Sequence, residues 1–319
     1  MKGILQRGLR EGLKVTWTLG KVIFPVTLIV SILEYTPLLK WVIDFIAPAM
    51  GLIGLSGEAA IPLVLGNFLN LYAAIGAIIT IDFTVKEVFI LAVMLSFCHN
   101  LIIESTLAAK VGVRFWVVVG VRLMLALISG ILINLFWQGG SEMAQYGMKP
   151  ESVVEPNGWL QIGWEGLTTA FFGVLQLALI VIPLMIVMQY LREKGWMAVF
   201  TRWMTPATKV LGMKPNTSST LVAGLTIGLA YGAGVMIQAV KDEGVSKKDM
   251  YLALIFLVSC HAVIEDTLIF VPLGIPVLPL LGIRVVTAVL LTMTVAAIWR
   301  QLEKQKGTET SHEHSYTSL

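Results

Sequence analysis

Three long stretches of this chain, residues 59–81, 166–191 and 215–240, contain no Asp, Glu, Lys or Arg. About 20 consecutive apolar residues are enough for a helix to cross the hydrocarbon core of a bilayer. Only 13% of all residues are charged, whereas soluble domains carry about a quarter. Because the sequence lacks the alternating pattern of a membrane β-barrel, the spanning elements are predicted to be helices. The chain is therefore predicted to be an all-α integral membrane protein.

The composition also excludes several classes of function. The net charge of +3 comes without a cluster of basic and aromatic residues, so no nucleic-acid partner is expected. The sequence lacks a P-loop, a GxSxG motif and an HExxH motif, so it predicts neither an enzyme nor a cofactor. The basic N-terminus precedes an apolar run that no small-residue cleavage site follows, and we interpret that run as a retained transmembrane helix.

A ten-residue motif occurs twice, 162 residues apart. Residues 96–105 read SFCHNLIIES, and residues 258–267 read VSCHAVIEDT. The two copies contain both cysteines of the chain. The same offset aligns further residues in pairs: Arg122 with Arg284, and Gly66 with Gly228. Farther upstream the offset falls to 158, where Pro48 meets Pro206. The chain is thus predicted to consist of two copies of one unit.

The distribution of basic residues predicts the orientation of these units. Lys and Arg are in excess in cytoplasmic loops, and here they concentrate at the N-terminus, at 192–214, at 241–248 and after residue 299. Both termini are therefore predicted to be cytoplasmic, in an inner cell membrane, and the two units to be inverted relative to each other. The predicted parts are a first repeat at 1–137, an extracytoplasmic linker at 138–161, a second repeat at 162–300 and a disordered cytoplasmic tail at 301–319.

This orientation requires about six spanning helices, two interfacial helices and two re-entrant hairpins. The spans are predicted at 15–35, 84–109, 115–137, 163–191, 247–270 and 280–300, the interfacial helices at 38–50 and 195–212, and the hairpins at 58–80 and 216–240. Each hairpin has the alternative of being a glycine-rich spanning helix with close packing, but two more full spans would break the charge pattern. Inverted repeats are typical of secondary transporters, with the binding site near the midplane.

The repeated motif supplies most of the candidate substrate or ion ligands: His99, Asn100, Glu104, His261, Glu265 and Asp266. An ionisable group in the bilayer costs at least ~2.5–3.5 kcal/mol, so it needs a function or a partner. Residues four apart share a helix face, which would place Glu265 beside His261 and Asn100 beside Glu104. His99 and Glu104 diverge unless the helix breaks between them.

Other polar groups have simpler predicted roles. The hairpins carry residues that could hydrogen-bond a solute: Asn67, Asn70, Thr217, Ser218 and Ser219. Arg122 and Glu104 are separated from a predicted turn near residue 112 by similar numbers of residues, so they should lie at similar depths in the membrane on adjacent helices. By the repeat, Arg284 and Asp266 should also lie at similar depths. The arginines are therefore predicted to form structural ion pairs. For the carboxylates, a structural role and a role in substrate or proton coupling both stay open.

The two Cys-His pairs suggest a metal site as an alternative. A pseudo-two-fold axis could bring Cys98 and Cys260 together with the histidines, a ligand set suited to soft divalent ions. However, adjacent Cys and His side chains do not easily reach one metal, and no CxxC or HxxxH spacing supports such a site. We therefore predict no metal site and keep the cysteines as a secondary alternative.

With these residues in place, the chain resembles the nucleoside-recognition, or Gate, domain family. The resemblance rests on the two motif copies, on the glycine-rich segments upstream of them and on the helices that carry Arg122 and Arg284. Gate-type domains occur in concentrative nucleoside transporters, in ferrous-iron transporter B proteins and in spore maturation membrane proteins. The GTPase domain of the iron transporters is absent from this sequence, so that mechanism is not expected.

The resemblance implies ion-coupled transport. We expect a secondary transporter of a small polar solute of nucleoside-like chemistry, with H⁺ or Na⁺ as the coupling ion and the lipid bilayer as its surroundings. Two alternatives stay open: a non-transporting membrane scaffold of the spore-maturation type, and a divalent metal permease that uses Cys98 and Cys260. The assembled form is left open between a monomer and a homo-oligomer.

Overall fold

A computed structural model describes residues 2–110, 112–145, 158–226, 228–229 and 244–316 of the chain. Within these ranges the regular structure is helical, apart from an isolated bridge between Thr84 and Met143. The α-helices are α1 (Lys2–Glu34), α2 (Pro37–Leu52), α3 (Ala60–Phe68), α4 (Leu71–Ile78), α5 (Val85–Phe97), α6 (Leu101–Lys110), α7 (Phe115–Phe136), α8 (Trp159–Glu193), α9 (Trp196–Val210), α10 (218–226), α11 (Lys247–Ser259), α12 (Glu265–Leu268) and α13 (Val277–Tyr316). Short 3-10 helices lie at Gly57–Ala59, Pro215–Thr217 and Val271–Leu273.

Parts of three predicted segments lie outside the described residues. They are 146–157 of the linker, 227 and 230–240 of the second hairpin, and 317–319 of the tail. In the part of the tail that the structure describes, α13 continues as helix from the span through Tyr316. Residues 300–306 are rich in Arg, Gln, Glu and Lys, which favour helix and extend an existing helix without a new nucleation step.

The architecture is that of an all-α membrane protein. Among the described residues, three helical stretches are long and apolar enough to cross a bilayer: Val85–Lys110, Phe115–Phe136 and Val277–Glu303. A fourth is formed if Ile43–Leu52 and Gly57–Phe68, which meet at an angle of 91°, count as one broken span. Helices α1 and α8, with 33 and 35 residues, are each about 50 Å long and exceed the thickness of the hydrocarbon core. The total of six spans and their orientation stay predictions.

Helices α1 and α8 pack against each other along their lengths at glycines. A methyl group on Gly8 would lie 2.7 Å from the Ile186 Cα, and one on Gly12 would lie 2.9 Å from the Ile182 Cα. At one end of this glycine seam Arg7 donates hydrogen bonds to Glu193 at 2.6 and 2.7 Å, outside the predicted spans. Hydrogen bonds from the Arg7 guanidinium, and from a neighbouring glutamine amide, lower the pKa of Glu193 to about 2. The pairing joins the first long helix of each half.

Helices α3 and α4 fold back on each other as a hairpin. A methyl group on Gly66 in α3 would lie 3.1 Å from the Ala74 Cβ in α4, although a straight helix would separate these residues by about 12 Å. The chain reverses at Leu69 and Asn70, and the Asn70 side chain caps α4 by accepting a hydrogen bond from the Ala73 amide at 2.9 Å. The first predicted re-entrant segment thus contains a helical hairpin.

The predicted helices 84–109 and 247–270 are both broken inside the repeated motif. α5 ends at Phe97 and α6 begins at Leu101, while α11 ends at Ser259 and α12 begins at Glu265. Asn100 has φ +50° and Ala262 has φ +42°, which are left-handed conformations that strain a non-glycine residue. The freed amides are satisfied by neighbouring backbone: Asn100 donates to the Gly66 carbonyl at 2.8 Å, and Ala262 donates to the Gly224 carbonyl at 3.0 Å.

These contacts correct the register of the repeat. Gly66 corresponds to Gly224, at offset 158, and not to Gly228 as the motif's own offset of 162 predicted. A methyl group on either glycine would meet an equivalent leucine at 2.4 Å, Leu95 in one half and Leu257 in the other. Gly228, with φ +78°, instead corresponds by the shorter offset to Asn70 at the hairpin break. The four additional residues of the second half therefore lie after Gly228.

The helix that enters each break begins with an equivalent cap. Thr84 Oγ1 accepts a hydrogen bond from the Glu87 amide at 3.2 Å, and Ser246 Oγ accepts one from the Asp249 amide at 3.1 Å. Such caps satisfy amides that have no partner within the helix. They fix the starts of α5 and α11, so both helices run for 13 residues before they break.

Candidate functional site

The two helix breaks bring His99 and His261 together in the interior of the protein. Their Nε2 atoms lie 3.4 Å apart, and their ring centroids are 5.1 Å apart with the planes tilted by 39°. Both side chains are buried. Each ring sits where its helix stops, so the break turns the imidazole away from the line of α5 or α11 and toward the other half of the chain.

The second ring nitrogen of each histidine is fixed by the backbone. His99 Nδ1 lies 2.7 Å from the Leu95 carbonyl oxygen, and His261 Nδ1 lies 2.8 Å from the Leu257 carbonyl oxygen. A carbonyl oxygen only accepts hydrogen bonds, so each Nδ1 carries the proton and donates it. In the neutral imidazole the Nε2 atom is then the acceptor, and the two Nε2 lone pairs face a shared space.

Each half also contributes a buried carboxylate that contacts an arginine. Glu104 Oε2 lies 2.8 Å from Arg122 Nη1, and Asp266 Oδ2 lies 3.2 Å from Arg284 Nη2. The first contact is close in distance but poorly aligned, because neither of its two atoms has a well-oriented hydrogen-bond partner. Arg122 and Arg284 are both completely shielded from solvent. The two positive and two negative charges balance.

The arginines also donate hydrogen bonds to backbone carbonyls at the helix breaks, a role that was not predicted from the sequence. Arg122 Nη2 donates to the His99 carbonyl at 2.6 Å, and its Nε donates to the Phe97 carbonyl at 2.9 Å. Arg284 Nη2 donates in the same way to the His261 carbonyl at 2.6 Å. These carbonyls lose their helical partners at the breaks. The guanidiniums therefore stabilise the breaks as well as the carboxylates. The one sequence feature that could have predicted this role is the spacing of 23 residues between histidine and arginine, which is the same in both halves.

Contacts also cross between the halves. Glu104 belongs to the first half, yet its Oε2 lies 3.4 Å from His261 Nε2, and its Oε1 lies 3.6 Å from His99 Nε2. Asp266 Oδ2 lies 3.7 Å from His261 Nε2. His99, His261, Glu104, Asp266, Arg122 and Arg284 thus form one group of contacting side chains, which we call the central cluster.

Glu265 does not occupy the position predicted beside His261. Instead, its carboxylate accepts a hydrogen bond from the Tyr72 hydroxyl of α4. The prediction assumed an unbroken helix with residues four apart on one face, but the chain leaves the helix at Cys260 and re-enters it at Glu265. Asp266 therefore takes the position near the histidine. Tyr72 was not singled out from the sequence, because a tyrosine in an apolar hairpin gives no distinctive pattern.

The other predicted polar residues lie around the cluster in different roles. Asn67 is occupied locally, since its Oδ1 accepts from Cys98 Sγ at 2.9 Å and its Nδ2 donates to the Leu63 carbonyl at 2.8 Å. Asn70 caps α4, and Ser218 Oγ donates to the Pro215 carbonyl at 2.8 Å. Thr217 ends the 3-10 helix Pro215–Thr217, and Ser218 and Ser219 begin α10.

The cysteines are not brought into a metal site. Cys98 is hydrogen-bonded to an asparagine, and Cys260 is a buried free thiol. Within the described ranges, the group of side chains close enough to share a metal ion consists of His99, His261 and Asp266, whose ligand atoms all lie within 4.8 Å of one another. The ligand atoms close enough to share an ion are thus imidazole nitrogens and a carboxylate oxygen, and neither thiol belongs to this group.

Comparison with known proteins now places this geometry in a family. The model of the nucleoside-recognition (Gate) family matches residues 16–114 and 174–290, one match in each half of the chain. The chain belongs to the nucleoside-recognition family. Each matched region contains one helix break and its histidine, so the central cluster lies where the two family units meet.

The chain is also similar to a curated bacterial protein. It is 65% identical over 301 residues to the uncharacterized membrane protein YvoD of Bacillus subtilis (strain 168), covering 94% of this chain and 96% of that protein. No solved structure matches the chain. The relative supports assignment to a membrane and is described without a substrate, so the chemistry of the site has to be argued from its geometry.

Proposed function

We propose that this chain is a secondary transporter that moves a small polar solute of nucleoside-like chemistry and couples that movement to an ion. The observation that carries the proposal is the meeting of two helix breaks, one from each half, at a buried cluster of ionisable side chains. In transporters built from two repeats, substrate and ion sites lie where discontinuous helices of both repeats meet.

The depth of the breaks agrees with such a site. α5 and α11 each contain 13 residues, so each break lies about 20 Å from the start of its helix. The hydrocarbon core is about 30 Å thick. If the two helices enter from opposite sides, as the loop charges predict, then both breaks reach the middle third of the bilayer.

The chemistry of the cluster is suited to an ion. Ionisable groups within a membrane are costly, and they are retained mainly along ion and substrate pathways. His99, His261, Glu104 and Asp266 present acceptor atoms toward one another, whereas Arg122 and Arg284 keep the carboxylates compensated. We assign the imidazoles and carboxylates to ion coupling, and the arginines to support of the breaks.

Two buried polar atoms are suited to the solute. Asn100 Oδ1 at the first break and Thr217 Oγ1 before α10 have no hydrogen-bond partner. A buried polar group without a partner costs about 1–3 kcal/mol, which a bound polar solute would recover. Asn67 and Asn70 have internal partners, so we give them a supporting role in shaping the hairpin. The protein would act in the inner cell membrane with both termini in the cytoplasm.

Uptake into proteoliposomes tests this function. The purified protein would be assayed with tritiated uridine, cytidine, adenosine and guanosine, under an inward gradient of either H⁺ or Na⁺. We expect accumulation of at least one nucleoside with one of the gradients, and its loss in Glu104→Gln. Glu303→Gln, which removes an exposed ion pair with Lys248, is the matched control and should transport normally.

A folded protein that neither takes up nor is thermally stabilised by any of the four nucleosides would contradict the nucleoside-like assignment. If a wider panel of small polar solutes gave the same result, a non-transporting scaffold would be the better description of the chain.

A further inference from the structure

In the central cluster, acceptor atoms from the two halves of the chain face one another at 3.4–3.7 Å. Because each Nδ1 donates to a backbone carbonyl, the two Nε2 atoms present lone pairs at a separation of 3.4 Å. Glu104 Oε2 lies 3.4 Å from His261 Nε2 and, although buried, has no well-aligned hydrogen bond. Asp266 Oδ2 lies 3.7 Å from the same nitrogen. Arg122 and Arg284 contact the carboxylate oxygens. The two Nε2 lone pairs of the neutral imidazoles face each other, and a cation bound between them would relieve their repulsion.

The separations are those of ligands around one metal ion. Nitrogen and oxygen atoms bound about 2.0–2.2 Å from a tetrahedral Zn²⁺ lie about 3.3–3.6 Å from one another. His261 Nε2 lies 3.4 Å from both His99 Nε2 and Glu104 Oε2, His99 Nε2 lies 3.6 Å from Glu104 Oε1, and Asp266 Oδ2 lies 3.7 Å from His261 Nε2. The ligand atoms of His99, His261 and Asp266 all lie within 4.8 Å of one another. A proton shared between the imidazoles would require a shorter approach, since N–H hydrogen bonds in proteins span about 2.7–3.2 Å.

The surroundings of the histidines have the form of a metal site's outer shell. A metal-bound histidine typically donates its other ring N–H to a carbonyl or a carboxylate, which fixes the tautomer and the ring orientation. Both histidines do so, to the Leu95 and Leu257 carbonyls. Glu104 and Asp266 are each held by an arginine, so their orientation is fixed as well.

From these contacts we infer that the central cluster binds one divalent transition-metal ion of the zinc class, with His99 Nε2, His261 Nε2 and an Asp266 oxygen as ligands and Glu104 as the fourth. Imidazole nitrogen selects Zn²⁺, Co²⁺ and Ni²⁺ over Mg²⁺ and Ca²⁺, which prefer all-oxygen sites. Each half of the chain supplies one imidazole and one carboxylate. The ion would therefore cross-link the two halves at their breaks.

This inference concerns the occupancy of the cluster and does not depend on transport of a solute. A protein that binds the metal and moves no nucleoside would retain this inference and contradict the proposed function. A protein that transports a nucleoside without binding a metal would do the reverse. Binding is therefore measured on the purified protein in detergent, where no transport occurs.

The test is a titration of chelator-treated protein, purified without a polyhistidine tag, with ZnCl₂ and CoCl₂ at neutral pH. We expect one ion per chain by calorimetry and elemental analysis, a tetrahedral Co²⁺ absorption spectrum, and a higher melting temperature. His99→Ala and His261→Ala should each weaken binding by at least about 100-fold, since loss of an outer-shell partner alone costs about 10–100-fold.

Two matched controls locate the site. The double variant Cys98→Ala, Cys260→Ala should keep its affinity, because the thiols lie outside the cluster. His312 and His314 are the two histidines of the chain outside the central cluster. The double variant His312→Ala, His314→Ala should therefore also keep the wild-type affinity for the metal. Where a cluster variant is unstable, His99→Gln replaces His99→Ala, and its melting curve is compared with and without ZnCl₂.

Absence of binding by the folded wild-type protein at millimolar ZnCl₂ and CoCl₂ would overturn the inference, and so would undiminished binding in both single-histidine variants. If the wild-type melting temperature instead changed with pH and not with either metal, the cluster would hold a proton in place of a metal.

Discussion

His99 Nε2 lies 3.4 Å from His261 Nε2, although 162 residues separate the two histidines in the chain. Each ring projects from the point where its helix, α5 or α11, stops. The contact therefore depends on both breaks at once. It makes the two halves one site, and several consequences of that dependence can be measured.

Removal of Arg122 should destabilise the protein strongly. In Arg122→Gln, Glu104 loses its buried counter-charge, and the Phe97 and His99 carbonyls lose their donors. Leaving one member of a buried ion pair without its partner typically costs about 3–5 kcal/mol. Urea unfolding in detergent measures this change. The control is Lys248→Gln, which breaks an exposed pair with Glu303 and should cost at most about 1 kcal/mol. Equal effects of the two variants would contradict the assigned role.

The corrected register of the repeat predicts which glycines tolerate a side chain. Gly224→Ala should destabilise by about 1–3 kcal/mol, because the new methyl group would lie 2.4 Å from Leu257 Cδ1. Gly120→Ala in α7 meets nothing within 4 Å and should be neutral or up to about 1 kcal/mol more stable. Thermal unfolding compares them. A tolerated Gly224→Ala would remove the support for pairing Gly224 with Gly66.

The predicted inversion of the two halves can be tested by chemical labelling. Asp82 precedes α5 and Lys247 begins α11, and both side chains are exposed. The loop charges predict that Asp82→Cys reacts with a membrane-impermeant maleimide in intact cells, and that Lys247→Cys reacts only after permeabilisation. The native cysteines are buried, so the wild-type protein serves as the unlabelled control. Labelling of both positions from the same side would exclude inverted halves.

The glycine seam between α1 and α8 should be intolerant of small enlargements. Gly12→Ala would place a methyl group 2.9 Å from the Ile182 Cα, a backbone atom that cannot rotate away. We expect a loss of about 1–3 kcal/mol. Gly173→Ala, in α8 itself, meets nothing within 4 Å and should be neutral or slightly stabilising. The two variants are compared by thermal unfolding, and a Gly12→Ala protein as stable as Gly173→Ala would show that the seam is loosely packed.

The helices and the charged residues of this fold could be predicted from the sequence, whereas most contacts between them could not. Charged residues are rare in the apolar runs, so the repeated carboxylates and arginines stood out, and counting 1.5 Å per residue placed Glu104 near the depth of Arg122. The sequence could not show that the helix leaves its path at Cys260. That departure brings Asp266, and not Glu265, to His261. Helical periodicity alone could not predict that Asp266 would take the place expected for its neighbour Glu265.

The proximity of the two histidines was also beyond the sequence. Each motif copy predicts its own local conformation, but how two copies face each other depends on packing across the whole chain. The offset of 158 between the two hairpins likewise depends on packing between segments and not on local sequence. It follows from the backbone contacts of Gly66 and Gly224 with the breaks, and the sequence alone supported 162 equally well.

The glycine seam restricts how the two halves can move. Where glycines let one backbone touch another, a shift along the helix axis by one residue would press a side chain into the space that the glycine leaves. We therefore expect sliding of α1 along α8 to cost more than a small rotation about their common line. If the protein transports a solute as proposed, any movement of α1 against α8 during transport would have to use that rotation, with the seam as its axis.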